Sequence, residues 1–328
     1  MTTTIQKPTI VSASRATDIP AFYSDWFLHR LKEGYSVWTN PYNPQQKIKV
    51  SYEDTRLIVF WSKNPEPLLR KDGLIDYLES KGINCYIQYT LNNYDKVLEP
   101  NVPDVDERID TFKRLVDRLG YGKVIWRSDP LILTNRMDEE ELIDRIKYVG
   151  DRLKEYTEKM VFSFVDIARY KKVIENLCRK GIICHEFSEP YMAHIAKRMV
   201  RLNRDWGFRL ATCAEKIDLD VYGIEHNKCI DDNLMVKYFS DDPVLMDYIG
   251  AEEVLDFDTG GSKIVINKDK KDKGQRSLCG CIKSRDIGQY STCPHLCAYC
   301  YANSISETVM RNWRNHKSNP QAETITGE

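Results

Sequence analysis

The chain lacks any apolar run long enough to span a bilayer. The longest early one, Leu57 to Trp61, falls far short of the ~20 residues a membrane helix needs. The beginning, Met-Thr-Thr-Thr-Ile-Gln-Lys-Pro, carries no export-type apolar core. A cytoplasmic protein with no membrane partner is expected. An excess of charge of either sign is also missing: 48 Lys and Arg stand against 49 Asp and Glu. A global attraction to nucleic acid or to an anionic membrane is thereby excluded, and any polyanion site must be local. There is no Gly-rich phosphate loop, no nucleophile elbow and no His-rich metal motif, so the sequence supports neither a nucleotide-cradling enzyme nor a serine hydrolase nor a histidine-ligated metalloenzyme. No repeat of fixed period occurs, and the only biased tract is the short charged run Lys268 to Arg276, which reads as a solvated loop with phosphate contact as the alternative.

What is present is cysteine. Ten cysteines in a chain without an export signal read as reduced ligands rather than disulfides. Cys293, Cys297 and Cys300 stand at C-x3-C-x2-C spacing, with Tyr299 just before the last. Three thiolates so close together leave one coordination position unfilled. A structural zinc site closes with four protein ligands, whereas an iron–sulfur cube on three thiolates keeps one iron open to react. A zinc knuckle is the alternative. Of the other seven, Cys85 in an apolar strand, Cys178 on a helix and Cys184 in an apolar run read as structural. That leaves Cys213, Cys229, Cys279 and Cys281, the number that closes a second metal site, either a second 4Fe–4S cluster or zinc.

The rest of the chain alternates. Short apolar runs at Thr9–Ser12, Leu57–Trp61, Cys85–Thr90, Lys123–Arg127, Met160–Val165 and Phe208–Thr212 are separated by helical stretches, over about 105–119, 138–156 and 170–180 and from a Ser188 cap to Trp206. Apolar strands joined by crossover helices predict an α/β fold with a parallel sheet, here an incomplete, TIM-like (β/α)6 barrel over residues 1–216. Asp18 or Thr17 is expected to cap the helix that follows the first strand. A hairpin is expected on Val37-Trp38 and Ile48-Val50. Residues 217–275 read as an irregular or helical elaboration with a helix near 242–249, residues 276–316 as a cysteine-rich segment, and 317–328 as a frayed tail.

In parallel βα architectures, reactive groups gather beyond the carboxyl ends of the strands. Those ends carry Ser12 and Arg15; Ser62, Lys63 and Asn64; Gln88 and Thr90; Arg127 and Asp129; Ser163 and Asp166; then Cys213 and Glu215.

The cysteine spacing with its aromatic resembles the signature of the radical S-adenosylmethionine (SAM) enzymes. That resemblance implies a 4Fe–4S cluster on Cys293, Cys297 and Cys300, SAM as cosubstrate, an electron donor such as flavodoxin or ferredoxin, and a barrel of the radical SAM type. It further implies Arg15, Asp18, Lys63 and Asp166 as catalytic candidates. Lys63, Asn64, Gln88, Thr90, Arg127, Asp129, Ser163 and Tyr299 become the candidate lining of the SAM site. Ser-Ala-Ser-Arg-Ala-Thr-Asp-Ile-Pro, Phe-Trp-Ser-Lys-Asn-Pro and the Cys-Gly-Cys, Asp-Ile-Gly and Cys-Pro-His-Leu-Cys-Ala-Tyr-Cys-Tyr-Ala-Asn segments resemble an uncharacterised bacterial family over nearly the whole chain. The Trp-Ser-Lys-Asn-Pro and Trp-Arg-Ser-Asp-Pro loops resemble the spore photoproduct lyase-like branch of radical SAM enzymes, which act on DNA lesions; the substrate itself is not read from the sequence, nucleic acid or a nucleotide being one candidate class. One feature departs from that pattern: the radical SAM cysteine loop usually follows the first barrel strand, and here it comes last. Either the order is permuted or the C-terminal segment folds back over the mouth, near Lys63, Arg127 and Asp166. Two other readings stand beside this one: a non-catalytic zinc- or iron–sulfur-binding barrel that binds nucleic acid or a protein partner, and an iron–sulfur oxidoreductase that does not use SAM. His295 reads as a loop residue, with tuning of the cluster as the alternative.

Overall fold

Strands that are apolar on consecutive positions need cover on both faces, and the structure provides it. The computed structural model describes residues 4–167, 171–256, 261–267, 270–276 and 278–328. Its centre is an eight-stranded parallel sheet. In chain order the strands are β1 (Ile10–Ala13), β2 (Leu57–Ser62), β3 (Asn84–Thr90), β4 (Val124–Leu131), β5 (Lys159–Phe164), β6 (Arg209–Thr212), β7 (Ile224–His226) and β8 (Arg285–Asp286). In space they run β7-β6-β5-β4-β3-β2-β1-β8. Every neighbouring pair is parallel. Each strand lies beside its predecessor in the chain except β8, which returns to the far edge and pairs Arg285 with Val11 and Asp286 with Ser12.

All six expected strands are present, and the α/β class with a large parallel sheet holds. The expected barrel is corrected: among the described residues the sheet is open, with β7 and β8 as its edges, and it has two further strands. Those two are short and polar, Ile-Glu-His and Arg-Asp, so neither gives the apolar run from which a buried strand is read.

The two faces of the sheet bury different things. Val11, Ile58, Phe60, Ile87, Val124, Trp126, Met160 and Phe162 pack with the crossover helices, among them Phe112 and Leu115 of helix Val105–Leu119 and Ile143 and Ile146 of helix Glu139–Leu153. On the opposite face, Ile10, Leu57, Val59, Tyr86, Ile125 and Val161 meet Ile230, Leu234, Met235, Phe239, Leu245 and Ile249. The latter come from the stretch expected to be irregular or helical, and the helix expected near 242–249 is there. That stretch forms two helices, Asp232–Phe239 and Pro243–Ile249, and an antiparallel pair, Ala251–Asp256 with Gly261–Ile266. Burying a Leu, Val or Ile side chain contributes roughly 1.5–3 kcal/mol, so this cover is a principal part of the core.

Asp18 caps a single turn, Ile19–Phe22, by accepting from Ala21 N at 3.0 Å. Ser188 occupies the N-cap position of helix Glu189–Asn203, but its hydroxyl makes no capping bond. The hairpin is present as Tyr35–Asn40 with Asn43–Ser51. The end of the chain, expected to fray, packs instead: Trp26 Nε1 donates to Ala322 O at 2.9 Å, Val37 N donates to Glu323 O at 2.9 Å, and Ile325 is buried. Tyr170, the expected start of a helix, and Lys268 and Asp269 of the charged run lie outside the described residues.

Glu139, in the first turn of its helix, joins two crossover helices by accepting from Arg198 at 2.6 Å, Tyr191 at 2.7 Å and His194 at 2.8 Å. Burial works against its ionisation, but these bonds outweigh burial and hold the carboxyl well below the ordinary range, at about 2. A depressed carboxyl stabilises the fold above its unfolded pKa and loses that contribution as pH falls through the folded one. Glu139→Gln is therefore expected to cost about 1 kcal/mol at neutral pH, after discounting for solvent screening. The difference from wild type should shrink between about pH 4.5 and 2, read from thermal melts across that range.

Candidate functional site

The second face of the sheet changes character part-way along the strands. Two residues beyond Ile10, Val59, Tyr86, Ile125 and Val161 come Ser12, Trp61, Gln88, Arg127 and Ser163. Side chains alternate along a strand, so these residues share one face, apolar toward the amino ends and polar toward the carboxyl ends. Arg127 is 2% exposed. Its guanidinium donates to Gln88 Oε1 at 3.3 Å, to Cys229 Sγ at 3.0 Å and to Asp129, which also accepts from Ser163. The guanidinium carbons of Arg127 and Arg15 lie 5.2 and 5.1 Å from the Trp61 ring centroid, within cation–π range.

Asp286 on β8 fastens the cysteine-rich segment to this face. Its carboxylate accepts from Ser12 Oγ at 3.0 Å, Ser14 Oγ at 2.7 Å, Arg15 N at 2.8 Å and Gly288 N at 2.9 Å. Ser12 Oγ in turn accepts from Trp61 Nε1 at 2.9 Å. Gly288 is required by contact, because a Cβ there would stand 1.9 Å from Ser14 Oγ.

The seven candidate ligands fall into two groups. Cys213 follows β6, Cys229 follows β7, and Cys279 and Cys281 precede β8. Cys213 Sγ and Cys229 Sγ are 3.6 Å apart. Cys229 Sγ accepts from Arg127 and, at 3.0 Å, from Asn227 Nδ2. Cys281 Sγ accepts from the backbone N–H groups of Cys229 and Ile230 at 3.3 and 3.4 Å. A hydrogen bond from Cys281 lowers the Cys279 thiol to about 7. Arg15 lies within electrostatic reach of Cys281, Cys229 and Cys279. Its Nη2 is buried with no hydrogen-bond partner among the described residues.

The loop Cys293, Cys297 and Cys300 lies beyond the carboxyl end of β2. His295 holds it through both ring nitrogens, Nε2 to Asp18 Oδ2 at 2.8 Å and Nδ1 to Asn101 O at 3.0 Å. Ala298 N donates to Leu98 O at 2.9 Å. Tyr299 Oη accepts from Lys63 Nζ at 2.8 Å and Asn92 Nδ2 at 3.2 Å, and it donates to Glu99, which also pairs with Lys63 at 2.8 Å. Burial pushes all three thiols up. Against it act the N–H groups of His295 and Asp18 at Cys293, those of Asn303 and Ala302 at Cys300, and the Lys63 charge at Cys297 and Cys300. Tyr301 Oη reaches Arg15 O at 3.0 Å, so the Arg15 loop touches both cysteine groups. Among the described residues, no group of three or more His, Cys, Asp or Glu side chains is placed to hold a metal ion as it stands.

The sequence-selected residues are distributed unevenly around these groups. Lys63, Tyr299, Gln88, Arg127, Asp129, Ser163, Arg15 and Asp18 all belong to the networks just described. Asn64 contributes a backbone bond to Ser62 Oγ at 3.0 Å, and Thr90 pairs with Arg127 in the sheet. Asp166 is exposed beyond β5, within electrostatic reach of Glu215. Burial raises Glu215 to about 7. Sequence reasoning missed Asn92, Glu99, Asn101, Asn227 and Asp286, which lie in loops or on a two-residue strand and carry no spacing signal. It also undervalued His295, which anchors the loop.

The family described as "Domain of unknown function (DUF1848)" matches residues 10–302. No curated protein and no solved structure matches the chain.

Asp18 is the acceptor on which the cysteine loop hangs. It takes Ser62 Oγ at 2.7 Å, Lys63 N at 2.7 Å and the Ala21 cap in addition to His295. Asp18→Ala strands these buried donors and is expected to cost about 3–5 kcal/mol. Asp18→Asn keeps one acceptor oxygen and should cost less. Urea unfolding measures both, and limited proteolysis should show new cleavage around 290–303 in the Ala variant.

Proposed function

The chain belongs to that family, whose description names no reaction, and from the site we propose that it is a radical SAM enzyme whose 4Fe–4S cluster is held by Cys293, Cys297 and Cys300. One observation carries the reading: three thiols, that of Cys297 buried and those of Cys293 and Cys300 half-buried, share one loop beyond the carboxyl end of a parallel sheet, with backbone N–H groups acting on Cys293 and Cys300. Hydrogen bonds of this kind stabilise cluster thiolates and tune their potential. By donor chemistry the loop fits such a cluster, since three thiols leave a fourth position open, and cluster binding would have to draw the three sulfurs together. When bound, such a cluster supplies the electron that cleaves SAM reductively, with 5′-deoxyadenosine as the reporting product.

The chain's own residues account for the surroundings. Lys63, fixed between Glu99 and Tyr299, brings a positive charge to Cys297 and Cys300 and orients the tyrosine beside the loop. Tyr299 is buried beside the loop, and a reactive radical requires that water be excluded. Chain order is the feature that departs from the radical SAM pattern, and the strand order supports reading it as a permutation. The strand leading into the cysteine loop is β8, which lies beside β1, so the loop leaves the sheet from the end it would leave after a first strand. The reading thus takes the core as a permuted, open relative of the radical SAM barrel. Donation of the electron by a flavodoxin or ferredoxin is part of the proposal, and the substrate is left unassigned.

Protein reconstituted anaerobically with iron and sulfide, then given dithionite and SAM, is expected to release 5′-deoxyadenosine. Changing Cys293, Cys297 and Cys300 together to Ala should reduce that release to background. Cleavage at the wild-type rate by this variant, or a colourless wild-type protein that binds zinc and leaves SAM intact, overturns the proposal.

A further inference from the structure

We propose that Cys213, Cys229, Cys279 and Cys281 form a second metal centre, a closed set of four thiolates, with Arg15 and Arg127 as its counter-charges. None of these residues belongs to the loop assigned above, so the inference stands whether or not that assignment does.

The first argument is convergence. The four thiols come from three separate stretches: the turn after β6, the turn after β7 and the Cys279-Gly280-Cys281 hook. Their main chains are already tied together. Tyr86 Oη and Gln88 Nε2, both from β3, donate to Cys229 O at 2.7 and 2.9 Å, and Ile282 N donates to Ile230 O at 3.2 Å. Gly280 lets the hook sit close, since a Cβ there would lie 2.8 Å from Lys228 Cγ. The Cys213–Cys229 sulfur separation of 3.6 Å is near the ~3.8 Å edge of a tetrahedron with metal–sulfur bonds of about 2.3 Å.

The second argument concerns what the sulfurs accept. A neutral thiol is a weak acceptor, yet Cys229 Sγ takes a guanidinium N–H and a carboxamide N–H, and Cys281 Sγ takes two backbone N–H groups. Metal-bound thiolates keep negative charge and are characteristically surrounded in this way.

The third argument is charge. Four thiolates around a divalent ion, or around an oxidised 4Fe–4S cube, leave a net dianion. Burial of a dianion is costly without cations. Arg127 already bonds one of the sulfurs, and Arg15 presents a buried Nη2 that has no partner among the described residues. Metal entry replaces the thiol–thiol contact with metal–sulfur bonds and releases the four thiol protons to solvent.

The test uses the full chain with Cys293, Cys297 and Cys300 changed to Ala, which removes the other proposed ligands. Metal and sulfide are measured on protein purified anaerobically and again after reconstitution. About one zinc per chain, or about four irons with matching sulfide, supports the centre and identifies its metal. Adding Cys229→Ser should abolish that retention. In case the variants fail to fold, the wild-type protein gives an independent readout. Its Cys213, Cys229, Cys279 and Cys281 should resist iodoacetamide until a chelator is added, while exposed Cys178 reacts at once. Absence of metal from the triple variant, or alkylation of all four thiols without a chelator, overturns the proposal.

Discussion

The arrangement depends on one carboxylate at the edge of a sheet. Asp286 has only a two-residue strand to hold it, yet it gathers two serine hydroxyls and two backbone N–H groups. Three of those four donors lie on or just after β1, almost the whole chain length away in sequence. Charge-assisted bonds of this kind are about twice as strong as neutral ones. They fix where the last part of the chain meets the first. That junction fixes where the cysteine-rich segment enters over the sheet, upstream of the points at which its loop is tied again.

The sheet supplies the other half of the constraint. Its second face is apolar near the amino ends, where helices Asp232–Phe239 and Pro243–Ile249 cover it, and polar near the carboxyl ends, where Arg127, Gln88 and Ser12 emerge. A buried guanidinium needs partners that can share its charge. Arg127 finds them in Asp129, Gln88 and Cys229, drawn from two strands and from the cover. The cover is therefore both a hydrophobic lid and a source of site residues. Its placement explains how Cys229, inside a stretch with little sequence pattern, comes to face Cys213.

Arg15 connects the two cysteine groups. Its loop is fixed by Asp286, its carbonyl takes the Tyr301 hydroxyl beside Cys300, and its side chain lies near Trp61 and the other four thiols. The pairing of Asp18 with His295 gives the C-terminal loop a second, independent anchor.

The sequence by itself determined the α/β class, the six longer strands and the crossover helices, because apolar periodicity is a local property of the chain; it did not place Cys178, read as structural, on the exposed surface where it lies. It also located Lys63 just past the end of β2, since strand ends follow directly from strands, whereas Arg127 and Asp129, expected at a strand end, fall inside β4, which runs on to Leu131. Only the tertiary structure decided that the sheet is open, that β8 returns beside β1, that the stretch after Glu215 covers the second face, and that Glu99, Asn92, His295 and Asp286 hold the site. Pairing between segments hundreds of residues apart leaves no local pattern. A lone acidic or amide residue in a loop looks the same whether it faces water or a buried lysine, and what separates the two cases is the neighbour that folding brings to it.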